Sequence, residues 1–367
     1  MDRSPPPRRP FTVFLYGALG LALVTILFQV TDSATTASTL PDSTSTTTNV
    51  LRPESLATLV PGLTGTLQAV VGSEQLGLIS WDAEGPLSIG AKLPAGRPNQ
   101  IANDASGELL GVSILGTSSN TSNILVGSPS VLSDVGLDAT SFAWHLTEPG
   151  SMAAISTPTD SDMPVLVKLR VESGIATAVE PILSVGPRDV VLAWGLWGFL
   201  LIQHESGASR IVLVDTDGTQ VWARPASWAY ASQNGDVLLS FSNNEIREFH
   251  RVQLNSGPAD SGDWFELPSL GVTGISWSPD GEMLAVASFS GGAARSRLEI
   301  YDNEGNMLNG IPLEWRVWDV RWSPNGRFLV MPGSRESVYA VLFYDVEDER
   351  LTPVSFDHPI QIAAIAG

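Results

Sequence analysis

Short apolar runs separated by turns rich in Asp, Asn and Gly follow one another along most of this chain. In the clearest stretch, Val272–Trp277 is followed by the turn Ser278-Pro279-Asp280-Gly281 and by a second run, Glu282–Phe289. Two further runs, Arg297–Tyr301 and Asn306–Leu313, flank another turn that contains glycine. Asp-Gly turns between apolar runs are strong hairpin signals, so this stretch predicts four antiparallel strands.

This four-strand pattern is repeated. The sequence Trp277-Ser278-Pro279-Asp280-Gly281 returns 45 positions later as Trp322-Ser323-Pro324-Asn325-Gly326, again between two apolar runs, Val317–Trp322 and Arg327–Met331. Related turn glycines occur upstream, at Gly107, Gly150, Gly198 and Gly235. A repeat of roughly forty residues made of strands is typical of a β-propeller, in which each repeat forms one blade.

Both ends of the repeating region are incomplete. Thr66–Val71, Gln75–Trp81 and Pro86–Leu93 predict three outer strands without an inner one, and Ile360–Ala366 predicts an inner strand with nothing after it. Joined, they complete one blade and remove the exposed strand edges that make sheets prone to aggregation. We therefore predict an all-β, seven-bladed β-propeller over residues 56–367.

Two segments carry a resemblance to a known family. Trp277–Ser288 and Trp322–Met331 resemble the WD-like repeat of TolB-type propellers, in which an aromatic-Ser-Pro-Asp-Gly turn precedes an apolar strand. Ile211–Trp222 resembles the repeat hairpin of quinoprotein-like propellers. The Gly-His that precedes the inner strand in true WD repeats is missing from this chain. The resemblance implies a propeller fold and, more loosely, a role in binding or assembly in the cell envelope.

The N-terminal region predicts one membrane span and a stalk. Residues Phe11–Val30 carry no charge and are long enough to cross a bilayer as a helix. Arginines precede this segment, and none follows it before Arg52, so residues 1–10 are predicted to be cytoplasmic and the rest of the chain extracytoplasmic. A cleaved signal peptide is the alternative. Residues 31–55 are rich in Ser and Thr and predict a disordered stalk.

Composition excludes several classes of function. The net charge of −19 disfavours binding to nucleic acid. The absence of cysteine rules out disulfides, thiolate metal sites and cysteine catalysis. The four histidines fall at different positions of different repeats, which does not indicate a metal site or a catalytic group. We therefore predict no cofactor and no metal.

Arginine positions suggest a binding site. Arg97, Arg188 and Arg316 each lie ten residues before a turn glycine, and Arg224 lies eleven before one. These positions predict connections that surround one mouth of the central channel, where several guanidinium groups would attract an anion. The predicted ligand-binding residues are Arg97, Arg188, Arg224, Arg316, Trp228, Trp315, Trp318 and His358.

Two questions about these residues stay open in the sequence. Each arginine could instead pair with a nearby carboxylate, such as Asp189, Glu314 or Asp319, and serve only to solvate a loop. Trp277 and Trp322 occupy equivalent repeat positions, which favours packing between blades over ligand stacking.

The function predicted from these patterns is a non-catalytic, membrane-tethered binding or assembly module of the cell envelope. Its partner would be another envelope protein or an anionic polymer. A propeller hydrolase or lyase with a divalent cation in the channel is one alternative, and a structural spacer without a ligand is another. Both chain ends are predicted to leave the face opposite the arginine mouth.

Overall fold

The structure is a computed structural model, and it describes residues 55–72, 75–116, 122–158, 161–205, 207–242, 247–254, 264–266, 271–290 and 295–366. The predicted membrane span, Phe11–Val30, and residues 31–54 of the predicted stalk lie outside these residues. Within the described ranges, no helix is both long and apolar enough to span a membrane.

The described part of the chain is built almost entirely of antiparallel strands. A single turn of helix, α1 (Leu56–Leu59), precedes the first strand and is capped by the Ser55 hydroxyl, which accepts a hydrogen bond from the Thr58 backbone N–H. The strands are β1 (Thr66–Val71), β2 (Gly77–Asp82), β3 (Leu87–Lys92), β4 (Arg97–Asn103), β5 (Leu110–Leu115), β6 (Ser122–Ser128), β7 (Val131–Trp144), β8 (Ser151–Ser156), β9 (Val165–Glu172), β10 (Ile175–Ser184), β11 (Val190–Gly195), β12 (Gly198–Glu205), β13 (Ala208–Val214), β14 (Gln220–Pro225), β15 (Trp228–Ala231), β16 (Asp236–Ser242), β17 (Arg247–Gln253), β18 (Trp264–Glu266), β19 (Gly271–Trp277), β20 (Met283–Ser290), β21 (Arg295–Asp302), β22 (Met307–Leu313), β23 (Arg316–Val317), β24 (Arg321–Trp322), β25 (Phe328–Arg335), β26 (Val338–Asp345), β27 (Arg350–Phe356) and β28 (Ile360–Ala366).

The strands form blades in which consecutive strands pair. The orders β11-β12-β13-β14, β15-β16-β17-β18 and β19-β20-β21-β22 each make one four-stranded sheet. In the repeat that the sequence shows best, the observed strands lie within two residues of the predicted ones. The all-β propeller prediction is confirmed at this level.

The first and last strands of the propeller pair with each other. β28 lies antiparallel to β1, with Thr66 opposite Ala366 and Leu67 opposite Ile365, in a sheet ordered β28-β1-β2-β3. This is the pairing predicted from the two incomplete ends of the repeating region. It joins residues almost 300 positions apart and covers the edge of β1.

One long strand differs from the sequence expectation. β7 pairs with β6 through its first half and with β8 through its second half, so that β4 to β10 form one seven-stranded sheet. The outer strand of one blade therefore runs directly into the inner strand of the next. Within β7 the pairing with β6 is irregular between Asp134 and Asp138, where Gly136 has a positive φ, and the strand then continues to Trp144.

The core lies between neighbouring blades rather than inside one. Apolar side chains of β1, β2, β25 and β26 form one buried cluster, and those of β20, β21, β25 and β26 form another. Trp277 and Trp322 are buried in such clusters, and their indole N–H groups donate to backbone oxygens of the preceding inner strand, at Tyr230 and Ser276. The structure thus confirms that both tryptophans pack between blades.

Candidate ligand-binding site at the propeller mouth

The inner strands run in one direction around a common axis. His145, next to β7, forms a parallel bridge with Trp194 on β11. Contacts continue from β11 to β15, β19, β24, β28 and β4. Because the inner strands are parallel, all of them begin at one end of the channel. We call that end the mouth face, and we call the opposite end, which carries the turns between first and second strands, the turn face.

Five of the eight predicted binding residues lie where the inner strands begin. Arg97, Trp228 and Arg316 are the first residues of β4, β15 and β23, and all three are exposed. Arg188 and His358 are exposed and lie two residues before β11 and β28. The topology therefore places these five residues on the mouth face, as predicted.

The other three residues occupy different surroundings. Arg224 lies within the outer strand β14, opposite Ile211, and its guanidinium carbon is 5.9 Å from the centre of the Trp222 ring. The predicted connection position is wrong for Arg224, because the β13–β14 ladder continues through Pro225. Trp315 is buried at 9% exposure in the core between β21 and β25. Trp318 is half-buried.

The nearby carboxylates pair with other groups than the predicted arginines. Asp189 accepts hydrogen bonds from the backbone N–H groups of Gly186 and His204 at 2.7 and 3.1 Å. Glu314 pairs with Arg335 at 2.7 Å. Among the described residues, no carboxylate lies within ion-pair distance of Arg97, Arg188 or Arg316. Their charge is therefore available to a ligand. The guanidinium carbon of Arg316 lies 5.2 Å from the centre of the Phe289 ring.

Most inner strands also bulge below the mouth. In β4, β7, β11, β19 and β28 one residue has no partner in the neighbouring strand, and the same holds once between β23 and β24. The unpaired residues are Asn99, Thr140, Leu192, Thr273, Gln361 and one of Trp318–Val320. Each lies two to five residues before the last residue of its strand. Bulges redirect side chains and are frequent beside binding sites.

The bulge between β23 and β24 was missed by the sequence reading, which predicted one strand over Val317–Trp322. Pro332, which has no N–H to donate, lies opposite this bulge on the partner strand β25. The Trp318 N–H still reaches the Pro332 carbonyl at 3.3 Å, and the Trp318 indole donates to the Gln361 carbonyl at 2.9 Å. Pro332 is a sequence signal for this bulge alone, since the other bulged inner strands have no proline opposite the bulge.

Charge is distributed unequally between the two faces. In the described turns of the turn face, carboxylates outnumber arginines several-fold. These carboxylates belong to Asp82, Glu84, Asp104, Glu108, Glu148, Glu172, Asp215, Asp217, Asp236, Asp280, Glu282, Asp302, Glu304, Asp345, Glu347, Asp348 and Glu349. The arginines near them are Arg170, Arg251, Arg327 and Arg350. The turn face therefore repels an anion.

Two other features of the described residues bear on chemistry. A cleft of about 510 Å³ opens on the turn face beside Asp104, Gly150 and Arg170. Arg170 already donates to the Pro149 carbonyl and the Ser151 hydroxyl there, at 2.8 and 3.1 Å.

No group of three or more His, Asp or Glu side chains within the described ranges is arranged to hold a metal ion.

Comparisons with known proteins agree with the fold. A family profile described as "WD domain, G-beta repeat" matches residues 265–293. A comparison with curated protein sequences finds no significant match. A structure from a study of two prolyl endopeptidases is similar with a TM-score of 0.56 and 9% identity, over 84% of this chain and 52% of that chain.

Two further propeller structures are similar at lower scores. TolB from Acinetobacter baumannii has a TM-score of 0.46 and 14% identity, over 68% of this chain and 63% of that chain. The Cps50 (Swd1) β-propeller domain of Myceliophteria thermophila has a TM-score of 0.47 and 14% identity, over 74% of this chain and 94% of that one. This chain thus spans less than two thirds of the TolB and endopeptidase chains. The chain carries a WD-type repeat on a β-propeller fold.

Proposed function

We propose that this protein is a non-catalytic binding module that takes an anionic partner, most simply an acidic protein surface, at its mouth face. The observation that carries the proposal is the set of exposed arginines, Arg97, Arg188 and Arg316, which have no ion-pair partner among the described residues. Exposed guanidinium groups gathered at one opening attract carboxylates over a distance and bind them with directed hydrogen bonds.

The proposal includes a closed ring of seven blades. The pairings support this count, because the seven-stranded sheet divides at β7 into two blades of four strands that share that strand. The sheets β28-β1-β2-β3, β11 to β14, β15 to β18, β19 to β22 and β23 to β27 supply the other five. An electron-density map with another number of sheets around the axis would contradict it.

We also propose that Phe11–Val30 anchors the protein in a membrane, with the propeller outside the cytoplasm. The hydrophobic segment and the arginines before it support this arrangement. The chain enters the first outer strand β1 and leaves the inner strand β28 at the turn face.

The experiment compares two double variants with the same loss of charge. Arg188→Ala/Arg316→Ala removes arginines from the mouth face, and Arg170→Ala/Arg350→Ala removes them from the turn face. Fluorescence anisotropy with a labelled hexaglutamate peptide reports binding at low and high salt. We expect the mouth-face variant to bind about five- to tenfold more weakly and with a smaller salt dependence.

The turn-face variant is the control and should bind as the unaltered protein does. Equal binding by both variants and the unaltered protein would contradict the proposed function. Thermal unfolding of each variant verifies that it remains folded, since exposed arginines contribute little to stability.

A further inference from the structure

Arg321, on an inner strand, has an environment that differs from that of Arg97, Arg188 and Arg316 on the mouth face. Arg321 is the first residue of β24 and therefore follows the bulge at Trp318–Val320. Its Nε donates to Asp319 Oδ2 at 3.0 Å. Asp319 Oδ1 accepts a hydrogen bond from the Val320 N–H at 2.9 Å, which holds the carboxylate in place.

The bulge is packed tightly from the neighbouring blade. Gly274 of β19 faces it, and a Cβ atom at that position would lie 2.7 Å from the Val320 nitrogen and 3.0 Å from the Asp319 Cα. On the other side the Trp318 indole is bonded to the Gln361 carbonyl of β28. The positions of Asp319 and Arg321 are therefore set by two neighbouring blades, and a site built on them is preorganised.

The Arg321 guanidinium retains binding capacity. Asp319 binds only the Nε group of Arg321. Among the described residues, neither Nη group of Arg321 has a hydrogen-bond or ion-pair partner. The side chain is 44% exposed on an inner strand, so its Nη groups are open to a ligand. The charge of Asp319, with a smaller effect of Tyr230 on β15, raises the pKa of Arg321, so the guanidinium stays charged.

We infer that the two Nη groups of Arg321 bind a carboxylate of the anionic partner inside the channel, five residues along the inner strand from Arg316 at the mouth. This inference rests on the proposed function and names the group that the site recognises: an Asp or Glu side chain, or a terminal carboxylate, of a peptide segment. A guanidinium binds a carboxylate through two parallel hydrogen bonds, and the fixed Asp319 orients it for that contact.

Asp319 also sets the preference for a carboxylate over a phosphate group. The Asp319–Arg321 pair has no net charge, so a second negative charge on a ligand would be repelled at short distance without compensation. A singly charged carboxylate gains the two hydrogen bonds and suffers the smaller repulsion. Arg97, Arg188 and Arg316 on the mouth face attract any anion, and the Asp319–Arg321 pair then favours a carboxylate over a phosphate group.

The test uses the hexaglutamate peptide with four single variants. We expect Arg321→Ala to weaken peptide binding about tenfold and Arg321→Lys to restore it only in part, because an ammonium cannot form the paired contact. Arg350→Ala on the turn face is the matched control and should bind normally. Inorganic phosphate should displace the peptide poorly from the unaltered protein and more effectively from Asp319→Asn.

The outcomes separate this inference from the proposed function. Weak binding by Arg188→Ala/Arg316→Ala together with normal binding by a folded Arg321→Ala would overturn the inference and leave the proposed function standing. Normal binding by both would overturn both. If Arg321→Ala does not fold, Arg321→Lys and the phosphate competition decide: full binding by Arg321→Lys, or unchanged competition in Asp319→Asn, would contradict a paired carboxylate contact.

Discussion

The residue that follows an inner strand uses its side chain to accept a backbone hydrogen bond across the turn into the next strand. The type of side chain at this position differs from blade to blade. The hydroxyls of Ser278 and Ser323 and the carboxylate of Asp104 each accept a hydrogen bond from the backbone N–H five positions on. His145 takes the same place with its Nδ1, which accepts from two turn N–H groups at 3.2 and 2.9 Å. An imidazole that accepts at Nδ1 is neutral.

This use of His145 predicts a pH-dependent contribution to stability. Burial lowers the pKa of His145 below its ordinary value of 6.5, with a smaller opposing effect of Glu148. Its contribution is therefore complete above about pH 6.5 and is lost as the pH falls through the lowered pKa of the folded state. We expect His145→Asn to flatten the fall in the urea midpoint between about pH 7.5 and pH 5. The same measurement on His358→Asn, a substitution of an exposed histidine, serves as the control.

Among the elements, the inner strand formed by β23 and β24 pairs with β25 on both sides of its bulge, and at the bulge its backbone packs closely against the neighbouring inner strand β19. The split between β23 and β24 brings the backbone at Asp319 and Val320 against β19. Only glycine fits opposite it, because any side chain would meet backbone atoms that cannot rotate away.

We therefore expect Gly274→Ala to destabilise the protein by roughly 1–3 kcal/mol through overpacking. Gly271→Ala is a control in the same strand, since the nearest atom to its added Cβ would be the Phe289 carbonyl oxygen at an ordinary 3.8 Å. The free energy of unfolding in urea measures both. Equal stabilities of the two variants would show that the bulge can move away from β19. Gly274→Ala should also weaken binding of hexaglutamate if the bulge positions Arg321.

At the scale of the whole molecule, the acidic turn face and the arginine-bearing mouth face give the propeller a preferred orientation toward an anionic partner. The proposed membrane anchor is tested separately, by the accessibility of the chain to protease from outside the cell. Protease added to intact spheroplasts should cleave the chain in residues 31–55 and release the propeller, because the Ser/Thr-rich sequence of this segment predicts a stalk that the protease can reach. A cytoplasmic marker protein should stay intact in the same sample. Complete protection of the chain would contradict an extracytoplasmic propeller.

The amino-acid sequence by itself determined the strand pattern and the pairing of the two chain ends. Both depend on local signals, the alternation of apolar runs with Asp-Gly and Asn-Gly turns, so that the predicted strands around Trp277 and the contact of Ile360–Ala366 with Thr66–Val71 agree with the structure. The same signals placed Arg97, Arg188 and Arg316 before inner strands, which is enough to assign them to one face.

Tertiary structure alone decided which charges remain available and where the strands bulge. Glu314 and Asp319 adjoin Arg316 in sequence, yet they pair with Arg335 and Arg321, because the partner is chosen by strand register and side-chain direction. Arg224 stays in its ladder for the same reason. Arg321 follows a bulge that is defined by the register of β23 and β24 against β25. Such contacts join residues from separate strands, and local sequence patterns carry no information about them.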